Sequence, residues 1–324
     1  MTLAILGLDL AKEKMDAFLL QATQASHRTF ANTPHGFAQL QQWLTRHRAE
    51  AVHACLEATG TYGDDVALFL HEQGHTVSMV NPAQIKAYGE SELSRNKTDK
   101  GDAALIARFC QSQQPRTWTP PSPQVRELQA LLRRRESLQE MHQQEANRLA
   151  SGVRAEAVRT SIQETLAFLD AEIAKIERQI HDHINQHPDL KAQQDLIASI
   201  KGIGPKTAAL FIAEYPDLKA FASARAMVAF AGLNPQHHDS GRSIHGKPRL
   251  SKKGAGRLRK GLYWPAIVAM RYNPVLQAFA DRLLAHGKPK MVVIAAVMRK
   301  LIHLVYGVLK SGQPFDPNYA KIGA

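Results

Sequence analysis

The stretch that decides the fold is "LAILGLDLAKEKMDAFLLQATQASHRTFAN", residues 3–32. Residues 3–11 are apolar with one acid, Asp9, between Leu8 and Leu10, and predict a short buried strand. Residues 14–22 and 26–32 predict two more strands, joined by short polar turns, which makes an antiparallel meander. Working outward, Thr33 stands as a cap ahead of Pro34, and Phe37, Leu40 and Leu44 follow at helical spacing. Residues 51–59 predict a buried strand, 61–74 a helix, 75–82 another strand, and 94–111 a loop followed by a helix. The order β-β-β-α-β-α-β implies a mixed sheet with helices against it.

"TPPSP" at 119–123 breaks that pattern and marks a boundary. Beyond it Ile162, Leu166, Leu169, Ile173, Ile176 and Ile180 alternate at spacings of four and three, a coiled-coil seam. Val125, Leu128, Leu131 and Leu138 form a weaker one, so a helical hairpin turning near 150–160 is expected. The expected organisation is therefore α/β plus α: a mixed-sheet domain over 1–118, a helical arm over 119–190, and a mostly helical domain over 191–324.

The net charge is +12 over 324 residues, and it is uneven. Residues 1–100 carry nine Lys/Arg against eleven Asp/Glu, whereas residues 233–324 carry sixteen against three. Local cation excess of that kind points to a polyanion bound mainly by the C-terminal part. Two cysteines, Cys55 and Cys110, with no CxxC pair, exclude a zinc ribbon and suggest reduced, buried thiols in a cytoplasmic protein. The N-terminus is apolar too briefly for a signal peptide. The apolar segment 291–310 is broken by Arg299, Lys300 and His303, which suits a buried helix and no membrane partner.

Three constellations carry chemistry. Asp9 and Glu57 lie in or at the end of apolar strands, and Asp99 and Asp102 lie three apart at a helix start. Carboxylates seldom accompany such strands without pairing or metal. Converging on one sheet edge, they would suit two Mg²⁺ ions about 4 Å apart that clamp a scissile phosphate. The second is "GIGPKTA", 202–208, a turn between helices in the helix-hairpin-helix pattern, where Gly202, Gly204, Lys206 and Thr207 would meet a nucleic-acid backbone. It is not a P-loop, because Pro205 precedes Lys206. The third is "HHDSGRSIHGKPRLSKKGAGRLRK", 237–260. Ser240 and Ser243 stand ahead of a basic, glycine-bearing loop with Arg242, Lys247, Arg249, Lys252, Lys253, Arg257, Arg259 and Lys260 as candidate nucleic-acid contacts. A serine hydroxyl attacking phosphorus needs its proton removed and the phosphate charge neutralised. His237, His238 or a metal-bound carboxylate would serve the first need, the cations the second.

"GLDLAKEK", "LEATGTYG", "NPAQIKAYGESELSRNKTDKGDAALIARF", "GIGPKTA" and "AFAGLNPQHHDSGRSIHG" together resemble the DEDD transposases of insertion sequences, and more narrowly the bridge-RNA-guided serine recombinases. The resemblance runs over nearly the whole chain. It implies a RuvC-like N-terminal domain of RNase H fold, a coiled-coil arm and a C-terminal transposase domain. It matches Asp9, Glu57, Asp99 and Asp102 to the acidic tetrad and Ser240 to the nucleophile. It implies Mg²⁺, donor and target DNA, a non-coding bridge RNA, and a homo-oligomer, from dimer to tetramer. Two rival readings remain from the residues alone. One is a metal-dependent junction nuclease of RuvC type whose C-terminal domain only binds DNA; the other is a non-catalytic architectural protein.

Overall fold

The computed structural model describes residues 3–58, 62–92, 98–215, 218, 221–236, 239–240, 244–245 and 249–318, with backbone only at 239, 240, 244 and 245. The chain divides into two compact units, Met1–Pro120 and Pro121–Ala324.

The first unit is built on five strands: β1 (Ala4–Leu10), β2 (Lys14–Leu20), β3 (Ala25–Ala31), β4 (Val52–Glu57) and β5 (Thr76–Val80). Their order in the sheet is β3-β2-β1-β4-β5. The first three pair antiparallel, and β4 joins β1 in parallel, as does β5 to β4, so the sheet is mixed. Strand alternation sorts the side chains of β1. Leu6 and Leu8 enter a core with residues of α1 (Pro34–Arg46) and α2 (Asp64–Glu72). Ile5 enters a second core with Cys55, Ile85, Ile106, Ala107 and Cys110, which brings in α3 (Pro82–Ser91) and α4 (Asp99–Gln113). The sheet is thus covered on both faces, which is why β1 reads as an almost unbroken apolar run. Thr33 caps α1 by accepting from the Gly36 amide, with Pro34 in the first turn. Helix α3 has no strong apolar period; its signal is the Asn81 cap followed by Pro82.

The second unit contains both the stretch expected as an arm and the C-terminal stretch. Helices α5 (Pro123–Ala150) and α6 (Glu156–Gln186) form an antiparallel hairpin, with His183 near the end of α6 donating to the Gln124 carbonyl at the start of α5 (2.8 Å). The seam residues Ile162, Leu169, Ile176 and Ile180 are buried within this one chain. Leu169, Ile176 and Ile180 belong to an apolar cluster that continues into α7 (Pro188–Ala198), α8 (Pro205–Glu214), α9 (Ala224–Phe230), α10 (Gly256–Tyr272), α11 (Pro274–Ala285) and α12 (Lys290–Ser311). Helix α12 is long and apolar enough to cross a membrane by length and composition, but Val293, Val297, Leu301, Ile302 and Val305 on one of its faces are fully buried in that cluster.

Between α9 and α10 the chain forms a narrow antiparallel ribbon. At its base β6 (Pro235–Gln236) pairs with β9 (Arg249–Leu250); further out β7 (Asp239–Ser240) pairs with β8 (Ile244–His245). Read from the sequence this is a loop. Its strands are two residues each and carry no apolar alternation, so no periodic signal marks them.

Candidate active site and nucleic-acid contacts

Asp9 lies on the same face of β1 as Ile5 and Gly7, the face that α4 covers. In the parallel register Leu8 meets Leu56, so Asp9 and Glu57 follow side by side at the C-terminal ends of adjacent strands. Asp16 lies directly opposite Asp9 on β2. Helix α4 starts with Thr98, whose hydroxyl accepts from the Gly101 amide, and its first turn holds Asp99 and Asp102, where anionic side chains suit the helix dipole.

What lets α4 come so near is Gly7. A Cβ at that position would lie 2.2 Å from the Ala103 carbonyl oxygen and 2.5 Å from the Ala107 nitrogen. Helix and strand backbones therefore touch one turn beyond Asp102. Cys55 on β4 and Cys110 on α4 lie in the same core nearby, and the neighbouring Cys110 thiol together with burial pushes the Cys55 thiol up in pKa.

The electrostatics follow from this crowding. Burial raises the Asp9 carboxyl above its ordinary value, and the like charges of Asp102, Asp99 and Asp16 raise it further. Asp16 behaves in the opposite way. Its burial alone would raise it, but hydrogen bonds from Thr29 (2.6 Å) and His27 (3.0 Å), together with the charge of Lys14, bring it below its usual range. Lys14 is hydrogen-bonded to Asp99 and lies 3.4 Å from Asp16 Oδ2. Its own pKa is raised, chiefly by Asp99.

The donor set is all oxygen and anionic, which fits a hard divalent cation such as Mg²⁺. Among the described residues no three acidic, His or Cys side chains are drawn close enough to enclose an ion. Asp99 is instead turned to Lys14. Sequence reading missed Lys14, Asp16, Thr29 and His27. The available signal was strand alternation through a tight turn, which sets Asp16 across from Asp9 once the pairing is known.

In the second unit the candidate cations divide into two groups. Arg259 donates to the carbonyls of Ala231 (2.9 Å) and Gly254 (3.3 Å). Those two carbonyls flank the ribbon base, where the Ser251 amide meets the Asn234 carbonyl and the Lys252 amide the Gly232 carbonyl. Gly254 is required there: at φ 139° an added Cβ would lie 2.0 Å from the Phe230 carbonyl oxygen. Arg257 is shared between Glu136 (2.7 Å) and Glu214 (3.4 Å), Lys260 lies near Glu136 and Glu140, and Lys206 pairs with Glu177 at 2.6 Å. Lys252 and Lys253 are exposed at the foot of the ribbon, and Arg249 is exposed on β9.

Gly202 is a packing glycine at φ 108°, against Ala269 of α10, where a Cβ would lie 2.6 Å from the alanine's own. Gly204 faces open space. The Thr207 amide is bonded to the Gly204 carbonyl (3.0 Å). Buried Asn273, also missed by sequence reading, donates to the Lys201 carbonyl (3.1 Å) and so ties down the same turn. Ser240 is described by its backbone, paired with Ile244; its side chain, and Arg242, Ser243, Lys247, His237 and His238, lie outside the described residues.

Residues 6–155 match a family model of IS110 DEDD type, described as a transposase, and residues 194–281 match a model described as the transposase IS116/IS110/IS902 family. The chain belongs to the IS110/IS116/IS902 family of transposases. The pilin gene-inverting proteins of Moraxella bovis and Moraxella lacunata are each 35% identical to this transposase over 98% of its chain and 98% of their own. A solved RuvC chain from T. thermophilus, in complex with a Holliday junction substrate, covers 36% of the transposase and is itself covered to 99%; at 13% identity and a TM-score of 0.28 the likeness is too slight to build on. The first family match takes in all four tetrad carboxylates, and the second takes in the turn at 202–208 and the whole ribbon.

Proposed function

We propose that this transposase cuts and rejoins DNA through a covalent Ser240–phosphate intermediate, with the charge on the attacked phosphate managed by the Asp9, Glu57, Asp99 and Asp102 set. The observation that carries the reading is the placement of Asp9 among Asp99, Asp102 and Asp16 with its carboxyl pushed up, a cluster of like charges that calls for a cation. Asp9, Glu57, Asp99 and Asp102 are the proposed holders of Mg²⁺. When bound, that ion supplies neutralisation and polarisation of a phosphate oxygen. The strand order β3-β2-β1-β4-β5 with α4 against it supports reading the first unit as an RNase H-type, RuvC-like domain.

The hydroxyl of Ser240 attacks phosphorus, the Oγ–P bond forms, and the bond from phosphorus to the leaving sugar oxygen breaks. The serine proton passes to a base and the leaving oxygen takes up a proton. The phosphodiester energy is kept in the Oγ–P bond, so rejoining needs no ATP. Arg249, Lys252 and Lys253, exposed at the ribbon foot, are the cations proposed to hold the DNA backbone there, with Arg242 and Lys247 beside them in sequence.

We further propose that a structured non-coding RNA guides the reaction and that the working form is a dimer or tetramer. The excess of sixteen cations over three acids in residues 233–324 supports an RNA as readily as a DNA partner.

The test is recombination between two plasmids carrying the element's ends, with and without RNA transcribed from its flanking non-coding sequence. Wild type is expected to exchange strands only with RNA and divalent metal, and Asp102→Asn to fail while folding normally. Denaturing gels should trap a protein–DNA adduct that peptide mapping places on Ser240. Cleavage with metal but no adduct would instead favour the junction nuclease. Exchange that ignores removal of the RNA would end the guide role and leave the serine chemistry standing.

A further inference from the structure

Lys14 is placed where no motif asked for it. It opens β2, one strand away from Asp9, and its ammonium reaches across to Asp99, the first residue of α4. The same ammonium lies 3.4 Å from Asp16 Oδ2. The two carboxylates it joins are unlike. Asp16 is buried, 6% exposed at its side chain, and its other oxygen is fixed by Thr29 and His27. Asp99 is 57% exposed, and Lys14 is its partner in the ion pairs described. One end of the bridge is therefore anchored and the other is releasable.

We propose that Lys14 is a resident counter-cation of the acidic set: it holds Asp99 in the metal-free protein, releases it when a divalent ion arrives, and stays tethered to Asp16. This rests on the reading of the tetrad as a metal site. The physical need is plain. The charges of Asp102, Asp99 and Asp16 all reach Asp9, and a cation placed between Asp99 and Asp16 offsets part of that repulsion. A lysine is suited to the task, being a compact point charge on a flexible stem that leaves without breaking a bidentate pair. The contact is half-exposed on both sides, so solvent keeps it weak enough to be displaced. Lys14 is accordingly a positioning residue. It sets where Asp99 waits, and metal binding becomes an exchange of one cation for another.

The experiment uses the full chain without nucleic acid and follows Mn²⁺ binding by calorimetry and by electron paramagnetic resonance. Asp102→Asn serves as the control that locates the binding event. Lys14→Met removes the competitor and is expected to bind Mn²⁺ about two- to fivefold more tightly, the size of one exposed ion pair. Lys14→Arg keeps a cation there and is expected to stay near wild type. Lys12→Met, an exposed lysine of the same turn, separates a specific exchange from a general loss of positive charge and is expected to change nothing. Unchanged or weaker Mn²⁺ binding by Lys14→Met, or equal tightening by Lys12→Met, overturns the proposal while leaving the metal site intact. A wild type with no saturable Mn²⁺ binding, or binding that survives Asp102→Asn, overturns the tetrad reading and this one with it.

Discussion

Asp9 and Ser240 stand on two different kinds of backbone. Asp9 is on β1, the middle of five strands, with a core on each face and a helix backbone touching at Gly7. Ser240 is on a two-residue strand paired with another two-residue strand, and the ribbon that carries it is fixed at its foot by Gly232, Gly254 and Arg259. The contrast teaches what each group requires. Carboxylates that repel one another stay together only when the elements bearing them are locked by packing. The serine proposed to attack a phosphate is carried on a ribbon whose base is held by a few hydrogen bonds.

The hardest blow to that contrast comes from the ribbon side. Ser240→Ala removes one oxygen from a ladder whose backbone bonds do not involve it. Strand exchange should fall by at least ~10³-fold, with stability unchanged to about 0.5 kcal/mol. Trapped adducts on denaturing gels are the measurement; an adduct that persists, or that maps to Ser243, moves the nucleophile.

On the sheet side, Gly7→Val should be the most damaging single change. The new side chain meets helix backbone, which cannot swing aside, and the expected cost is about 3 kcal/mol or more. Denaturant melts should show the first unit unfolding early while the helical unit holds. If both units melt as in wild type and activity persists, the close approach of α4 is not what keeps the acids together.

Arg259→Ala should cost about 1.5–3 kcal/mol locally, as two carbonyls at the ribbon foot lose a charged donor. Amide exchange at Ser251 and Lys252 should quicken while β1 amides stay protected. The slope of DNA affinity against salt should not change; a drop of about one in that slope would make Arg259 a phosphate contact after all.

A subtler effect concerns pH. The folded state raises the Asp9 carboxyl above its ordinary 3.8, so it binds that proton more tightly than the unfolded chain does. Between the ordinary and the raised value the contribution of Asp9 to stability therefore falls as pH climbs. Asp9→Asn should melt higher than wild type at pH 7, and the gap should close as pH drops below the ordinary carboxylate value. Melting curves against pH check it, and a variant less stable at pH 7 would mean that Asp9 is satisfied where it stands.

The smallest expected change is Lys206→Ala. The pair with Glu177 is 69% exposed on the lysine side and should be worth under about 1 kcal/mol. If Lys206 also meets a phosphate, the salt slope of DNA binding should fall by about one, with no sequence preference.

Much of this was open to reading along the chain. Alternation and caps located β1 to β5, α1 and α4, because apolar periodicity and Thr or Pro at helix starts are local signals. Asp9 and Glu57 stood out because charge is costly in apolar strands, and Asp99 and Asp102 because they lie three apart at a helix start. The heptad-like spacing located α6, and the charge count singled out the C-terminal part as the one proposed to meet nucleic acid. Partnership is what the sequence could not supply. Lys14 and Asp16 gained meaning only when the strand register set them beside Asp9 and Asp99. Arg257, Arg259 and Lys260 look like phosphate contacts in a basic run, yet folding aims them at Glu136, Glu214, Glu140 and two carbonyls. Gly202 reads as a ligand-approach glycine, and packing makes it the place where α10 passes. A residue's type and local spacing are properties of the chain, but whether its charge is spent inside or offered to a partner depends on which distant residue folding brings within a few ångströms.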